Sequence, residues 1–190
     1  MNNIQYEKSK IRALIRQKTL QSTSEQKEDE SKRICKIILE SSEWKDAKTI
    51  LLFVPLKDEP DISSLLSISL AYKKKLFLPQ FNPLLQTYQI APVYCLKNDL
   101  LAGKYGILEP NTKSTETKSI DMIFVPGLGF GLDGSRLGRG KGFYDRLLPL
   151  LSGTIYGVCW SWAIFHSVPS ETHDFQVNIL INPHTGYQYV

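Results

Sequence analysis

The fold this 190-residue sequence predicts is a three-layer α/β/α sandwich around a mostly parallel sheet, Rossmann-like, with an N-terminal helical extension. Three observations predict it. The compact apolar run at 49–54 (TILLFV) reads as a strand buried on both faces, the usual state of a parallel strand. Further strand-like runs alternate with helical segments, the pattern of an α/β layer architecture. A segment rich in glycine and cations directly follows the strand-like run at 120–125, where an open α/β sheet keeps its ligand.

Residues 4–20 are helix formers with Ile11, Leu14 and Ile15 at helical spacing. A second helix starts from a cap among Ser22, Thr23 and Ser24. Ser24 is preferred, because Glu25 and Glu28 then fall in the first turn. This helix runs to about residue 41 and buries Ile34, Ile37 and Ile38. After the 49–54 strand, Asp61 can cap a helix that reaches about residue 72. A strand at 75–78 is ended by Pro79, and 87–93 is a further strand. Residues 98–119 are poor in large apolar side chains and read as a long loop with a short turn at 106–110. The run 120–125 is a strong strand and the glycine-rich loop follows it. Residues 142–151 form a helix bent or shortened by Pro149. Strands are expected at 154–160 and 175–181, with a terminal strand at 186–190. No internal repeat emerges, and the length suits one domain over 1–190.

Composition is that of a soluble globular chain, 42% hydrophobic and 22% charged. The net charge of +4 is mild and fits an anionic small molecule as well as nucleic acid. Cys35, Cys95 and Cys159 are far apart and lack zinc-type spacing, so reduced thiols in a cytoplasmic protein are expected. The N-terminus is charged without a hydrophobic leader core, and no run approaches the length of a membrane span.

Seven of the twelve glycines lie between Gly127 and Gly142, interleaved with Arg136, Arg139 and Lys141. Glycine lets backbone approach a ligand closely, and outward N–H groups with fixed cations suit phosphate. A Walker A loop is excluded: Ser135 stands where its first glycine belongs, and Gly142 follows Lys141. Gly129 to Gly134 fit G-x-G-x-x-G, but no helix is expected to start there, so a dinucleotide fingerprint is weak. A flexible surface loop is the bland alternative. The three cations and the aromatic residues that follow favour a polyphosphate site instead.

Other residues admit two readings. Asp145 either complements a helix N-terminus or holds Mg²⁺ beside phosphates. Lys8, Arg12 and Arg16 share one helical stripe, read first as a solvated face and second as a further cation set. Glu59 lies in the loop after the first strand and can accept N–H bonds from a polar heterocycle. Asp174 is a turn residue or a second metal carboxylate. His166, His173 and His184 match no zinc motif and are read as surface or loop residues. Nucleophilic catalysis finds no specific support: Ser135 lacks a nucleophile-elbow context.

The run Pro126-Gly-Leu-Gly-Phe130, followed by Arg136-Leu-Gly-Arg-Gly-Lys-Gly-Phe-Tyr-Asp145, resembles the 5-formyltetrahydrofolate cyclo-ligase family, also called 5,10-methenyltetrahydrofolate synthetase. The likeness spans most of the chain. It takes in Lys8-Ser-Lys-Ile-Arg12, the segment Glu59 to Asp61, Gly106-Ile-Leu-Glu-Pro110, and Val168-Pro169 with Asp174. The resemblance implies ATP-dependent conversion of 5-formyltetrahydrofolate to 5,10-methenyltetrahydrofolate with release of ADP and phosphate. It implies ATP contacts at Lys8, Ser9, Lys10, Ile11 and Arg12 and at Arg136, Leu137, Gly138, Arg139, Gly140, Lys141, Gly142, Phe143 and Tyr144. Folate contacts are implied at Glu59 and at Arg139, Gly140, Lys141, Gly142 and Phe143, and Mg²⁺ at Asp145 and Asp174. Arg136, Arg139 and Lys141 would supply catalytic charge. A monomer with no nucleic-acid or membrane partner is expected. Two departures stand out: Phe143 where the family often has tyrosine, and Asn178 where an acidic residue is common. The rival readings are a nucleic-acid-binding module, which needs steeply salt-dependent binding, and an ATP-using enzyme of the same fold acting on another formyl or acyl substrate.

Overall fold

The structure, a computed structural model, describes residues 3–103 and 106–190. Helices α1 (Asn3–Gln21) and α2 (Ser24–Glu40) precede the first strand as expected. The α2 cap is Thr23 rather than Ser24. Its hydroxyl accepts from Gln26 N at 3.1 Å, and the Gln26 side chain accepts from Thr23 N at 2.9 Å. A cap at Ser24 would put Lys27 at the third helical position, and a lysine cannot return that bond. In α1 the buried residues are Lys8, Ile15 and Thr19, while Leu14 is exposed, contrary to the expected stripe. A short α3 (Ser42–Asp46), capped by Ser41, leads into β1 (Thr49–Leu51). That strand is shorter than the apolar run, although Leu52 N still donates to Phe77 O.

Helix α4 (Ser64–Ala71) starts later than expected, with Ser63 as its N-cap. Asp61 accepts from the Ser63 backbone and hydroxyl, shaping the turn into the helix rather than capping it. Strand β2 (Lys75–Asn82) runs through Pro79 instead of ending there, and pairs with β3 (Thr87–Val93). Strand β1 ladders only with Lys75, Leu76 and Phe77. Beyond them one edge of β2 needs no ladder donor, so a proline is tolerated. The expected loop over 98–119 holds α5 (Leu96–Asp99) and the paired strands β4 (Leu100–Ala102) and β5 (Leu108–Pro110). Strands of three residues are too short to show alternation.

After β6 (Ser119–Pro126), the glycine-rich segment is not all loop: β7 (Gly129–Gly131) pairs antiparallel with β8 (Arg136–Leu137). Helix α6 (Phe143–Leu147) tightens into a 3₁₀ turn at Pro149. Next come β9 (Ser152–Val158), β10 (Ile164–Phe165), which adds to β7, β11 (Ile179–Asn182) and β12 (Gly186–Tyr189). Strand β11 begins four residues later than the run at 175–181 predicts. Phe175 N and Val177 N instead donate to Asp145 and Gly134 O, tying this stretch to the glycine segment.

The main sheet has the order β12-β11-β9-β6-β1-β2-β3, with five parallel interior strands and antiparallel edges. Side chains alternate cleanly between two cores. Ile50, Leu52, Met122, Phe124, Tyr156, Val158, Ile179 and Ile181 face α2, α3 and α4, where Ile34, Ile38, Trp44 and Leu65 meet them. Leu51, Ile123, Val125, Ile155 and Leu180 face α1, α6 and the small sheet, where Ile15, Phe130, Leu137 and Leu147 meet them. Burial on both faces is why these strands read as continuous apolar runs. The chain order reverses beside β1: β2 lies on one side of it and β6 on the other. That is the topological switch point, where loops at the strand carboxyl ends diverge and leave a crevice.

Candidate functional site

A cavity of about 780 Å³ opens at this crevice. The loop after β1 contributes Glu59, the glycine segment contributes residues 136–145, α1 contributes Lys8 and Arg12, and the 168–175 loop contributes Glu171 and Asp174. The volume lies in the upper part of the range of small-molecule sites. Residues spread over 166 positions therefore meet because three loops and one helix converge on one sheet end.

Arg139 bridges the two sides of the switch point. Its guanidinium donates to both oxygens of Asp58 (2.7 and 3.0 Å) and to Glu59 Oε1 (2.8 and 3.1 Å). Burial works against its charge, but these carboxylates outweigh burial and raise its pKa. Burial would likewise raise Asp58, yet Arg139 holds it below the usual carboxylate range. Arg136 is 5% exposed. It pairs with Asp145, lies over the Tyr144 ring at 5.7 Å, and has a buried Nε without a hydrogen-bond partner among the described residues. Lys141 is exposed at the rim between Gly140 (φ 89°) and Gly142 (φ 63°). Both flanking residues sit in the left-handed region that glycine reaches without strain. No carboxylate partners Lys141 among the described residues.

Helix α1 forms the facing wall. Lys8 and Arg12 are one turn apart and both reach the cavity, whereas Ser9, Lys10 and Arg16 are exposed away from it and Ile11 packs inward. Lys8 is 4% exposed, so the solvated-face reading of this stripe fails at its first member. Its ammonium donates to Asp174 and, at 2.9 Å, to Glu171. Burial would lower the Lys8 pKa, but the two carboxylates outweigh it and raise it. Burial would raise Asp174, but Lys8 and the Glu171 N–H hold it low. Arg12 Nε donates to Gly138 O at 2.9 Å, tying the helix to the glycine segment. Burial lowers its pKa, with Arg16 adding to the effect, though a guanidinium stays charged.

The Lys8–Asp174 pair sets a pH window. A depressed Asp174 contributes stability above its ordinary value of 3.8, lost as pH falls through its lower folded value. A raised Lys8 contributes stability below 10.5, lost as pH rises through its higher folded value. The stability difference between the wild-type protein and Lys8→Met should be flat across neutral pH and shrink at both extremes. Urea midpoints measured across pH check this, and a difference that grows toward acid would contradict it.

The remaining side of the cavity is aromatic. Phe143 meets Phe81 at 5.6 Å and Tyr88 at 4.9 Å, and Tyr88 meets Tyr144 at 6.0 Å. Burial pushes the Tyr144 phenol up, so it stays protonated. Glu109 closes this side. Its Oε2 accepts from Phe81 N at 2.9 Å, and its buried Oε1 has no partner among the described residues. Sequence reasoning did not single out Asp58, Phe81, Tyr88, Glu109 or Glu171 as site residues. Glu109 falls in the motif at 106–110, which assigned it no role; Asp58 and Glu171 join through ion pairs with Arg139 and Lys8, and Phe81 and Tyr88 through ring contacts with Phe143.

Asp145 and Asp174 both line the cavity. Asp145 takes Arg136 and Phe175 N on Oδ1, and Asp174 takes Lys8 and Glu171 N on Oδ2. Each carboxylate thus places these bonds on one oxygen, a donor set that fits a hard cation shared with phosphate. Among the described residues no group of three or more His, Cys, Asp or Glu gathers around one point. Asn178 is not part of this set. Its side chain accepts from Ile155 N at 2.9 Å, outside the cavity lining. His173 lies at the lining with Nε2 3.7 Å from Asp174, and His166 and His184 are exposed elsewhere. No described helix is long and apolar enough to cross a membrane.

Comparison with known proteins gives a consistent result. The model of the 5-formyltetrahydrofolate cyclo-ligase family matches residues 4–183. The chain is 26% identical to a probable 5-formyltetrahydrofolate cyclo-ligase of Schizosaccharomyces pombe, covering 93% of this chain and 95% of that one. It is 30% identical to the 5-formyltetrahydrofolate cyclo-ligase of Mycolicibacterium smegmatis over 73% of this chain and 75% of the relative. The solved structure of the Aquifex aeolicus 5,10-methenyltetrahydrofolate synthetase superposes with a TM-score of 0.86 at 30% identity, covering 96% of this chain and 92% of that one.

Proposed function

The chain belongs to the 5-formyltetrahydrofolate cyclo-ligase family and catalyses the ATP-dependent closure of 5-formyltetrahydrofolate to 5,10-methenyltetrahydrofolate, and from that premise we propose how the cavity does it. The observation that carries the residue assignments is the convergence of two cation sets and an aromatic slot on one cavity. Lys8 and Arg12 from α1 face the glycine segment across the space that a triphosphate needs. Of residues 8–12, these two are the ATP contacts the geometry supports. The backbone and cations of residues 136–142 take the other side of the phosphates, and Phe143, Tyr144 and Tyr88 flank a planar ring.

The formyl oxygen attacks the γ-phosphorus and ADP leaves. N10 then attacks the activated carbon, loses its proton, and phosphate departs with the former formyl oxygen. Phosphoryl transfer needs mainly positioning and charge. Lys141 has no carboxylate partner among the described residues and is placed to meet the transferring group, while Arg136 and Arg139 are held in place by Asp145 and by Asp58 with Glu59. Glu59, with both oxygens already bonded, acts on folate chiefly by fixing Arg139. Asp145 and Asp174 would hold Mg²⁺, which when bound neutralises phosphate charge.

The two cores share one sheet, which supports a single domain over 1–190. Three unpaired cysteines fit a cytoplasmic location. The testing experiment incubates purified protein with 5-formyltetrahydrofolate and MgATP and follows absorbance of the methenyl product. Folded, ATP-binding protein that forms no product would sink the reading. Asp145→Asn keeps an oxygen for Arg136 but removes the charge, and should shift the Mg²⁺ titration to higher concentration. An unchanged titration would remove Asp145 from metal binding.

A further inference from the structure

Arg146 is a cavity-lining cation that neither the loop chemistry nor the phosphates account for. Lys8, Arg136 and Arg139 each have a carboxylate partner. Arg146 has none among the described residues. Its NH2 reaches only two carbonyls, Lys141 O at 3.2 Å and Gln86 O at 3.3 Å, long contacts that leave most of its five donors unused. The side chain folds back over the helix start. Its NH1 lies close over Gly142, 2.9 Å from where a Cβ on that residue would sit. The guanidinium lies over the Phe143 ring at 5.4 Å, and Phe143 in turn contacts Phe81 and Tyr88. A line of rings therefore ends on an exposed, unneutralised cation at the rim.

That sequence of features complements an aromatic acid. A reduced folate presents a pterin, then a benzoyl ring, then the carboxylates of its glutamate. We propose that Arg146 recognises the glutamate carboxylate of the folate substrate, with the benzoyl ring beside Phe143. The inference rests on the folate reading above and goes beyond it by assigning the tail's partner and the direction in which the substrate lies. A guanidinium held in plane against a ring is well suited to bidentate capture of carboxylate. Its exposure makes the interaction sensitive to salt.

The test pairs a protein change with a substrate change. KM is measured for 5-formyltetrahydrofolate and for the corresponding pteroate, which lacks the glutamate, with wild-type protein and Arg146→Gln. The variant should raise KM for the glutamate-bearing substrate about five- to tenfold at low salt, and less at high salt. KM for the pteroate, KM for ATP and kcat should stay near wild type. Equal loss for both substrates would mean Arg146 only shapes the loop. A raised KM for ATP would make it a nucleotide cation, and no change would leave it a surface charge; each overturns the proposal. Absence of wild-type turnover with every folate would remove the folate reading and this inference with it.

Discussion

Lys141→Ala is expected to lower turnover by about 10²-fold or more at saturating ATP and folate. The reason is the state of its neighbours. Arg136 is paired with Asp145, and Arg139 with Asp58 and Glu59, so much of their field is already balanced. Lys141 lines the cavity and has no carboxylate partner among the described residues. Its flanking glycines, at φ 89° and 63°, project that residue at the turn. Charge developing on the transferring oxygens then meets one cation that needs no rearrangement. Because Lys141 is exposed, the variant should melt like the wild type. Steady-state kinetics with a thermal melt on the same sample separates the two effects. Unchanged kcat would take Lys141 out of the mechanism.

Phe130→Ala should cost about 3–5 kcal/mol of folding stability. Phe130 is fully buried on β7, beneath the start of the glycine segment. Its ring occupies space that two glycines leave open: a Cβ at Gly127 or Gly157 would come within 2.6 or 2.7 Å of it. Two backbones approach the same ring, so removal leaves a cavity that neither can fill with a side chain. Phe130 belongs to the small sheet of β7, β8 and β10, where it is the register partner of Arg136. The loss should therefore show as a lowered urea midpoint together with weakened ATP binding in the folded fraction. A variant as stable as the wild type would mean the glycine pair serves some other purpose.

The parallel sheet was legible because its strands are buried on both faces and appear as unbroken apolar runs. The site's main loop was legible because its glycines and cations are contiguous. Elements set by partners were less so. Proline at 79 reads locally as a strand end, and only the shortness of β1 explains why the strand continues. Thr23 displaced Ser24 through one side chain three residues on. Strands β4 and β5 exist by pairing with each other, since neither has enough residues to carry a pattern.

Local chemistry in the chain was enough to establish the α/β class and, through several ordered motifs, the family, and it marked the glycine segment as the candidate phosphate loop. Charge and periodicity along the chain could not say which cations are spoken for. Lys8 and Lys141 look alike as residues; one is buried between Asp174 and Glu171, the other stands open at the rim. That difference arises from which loops the switch point brings together. An ion pair depends on distances of a few ångströms between residues far apart in sequence, and those distances are set by sheet order rather than by composition.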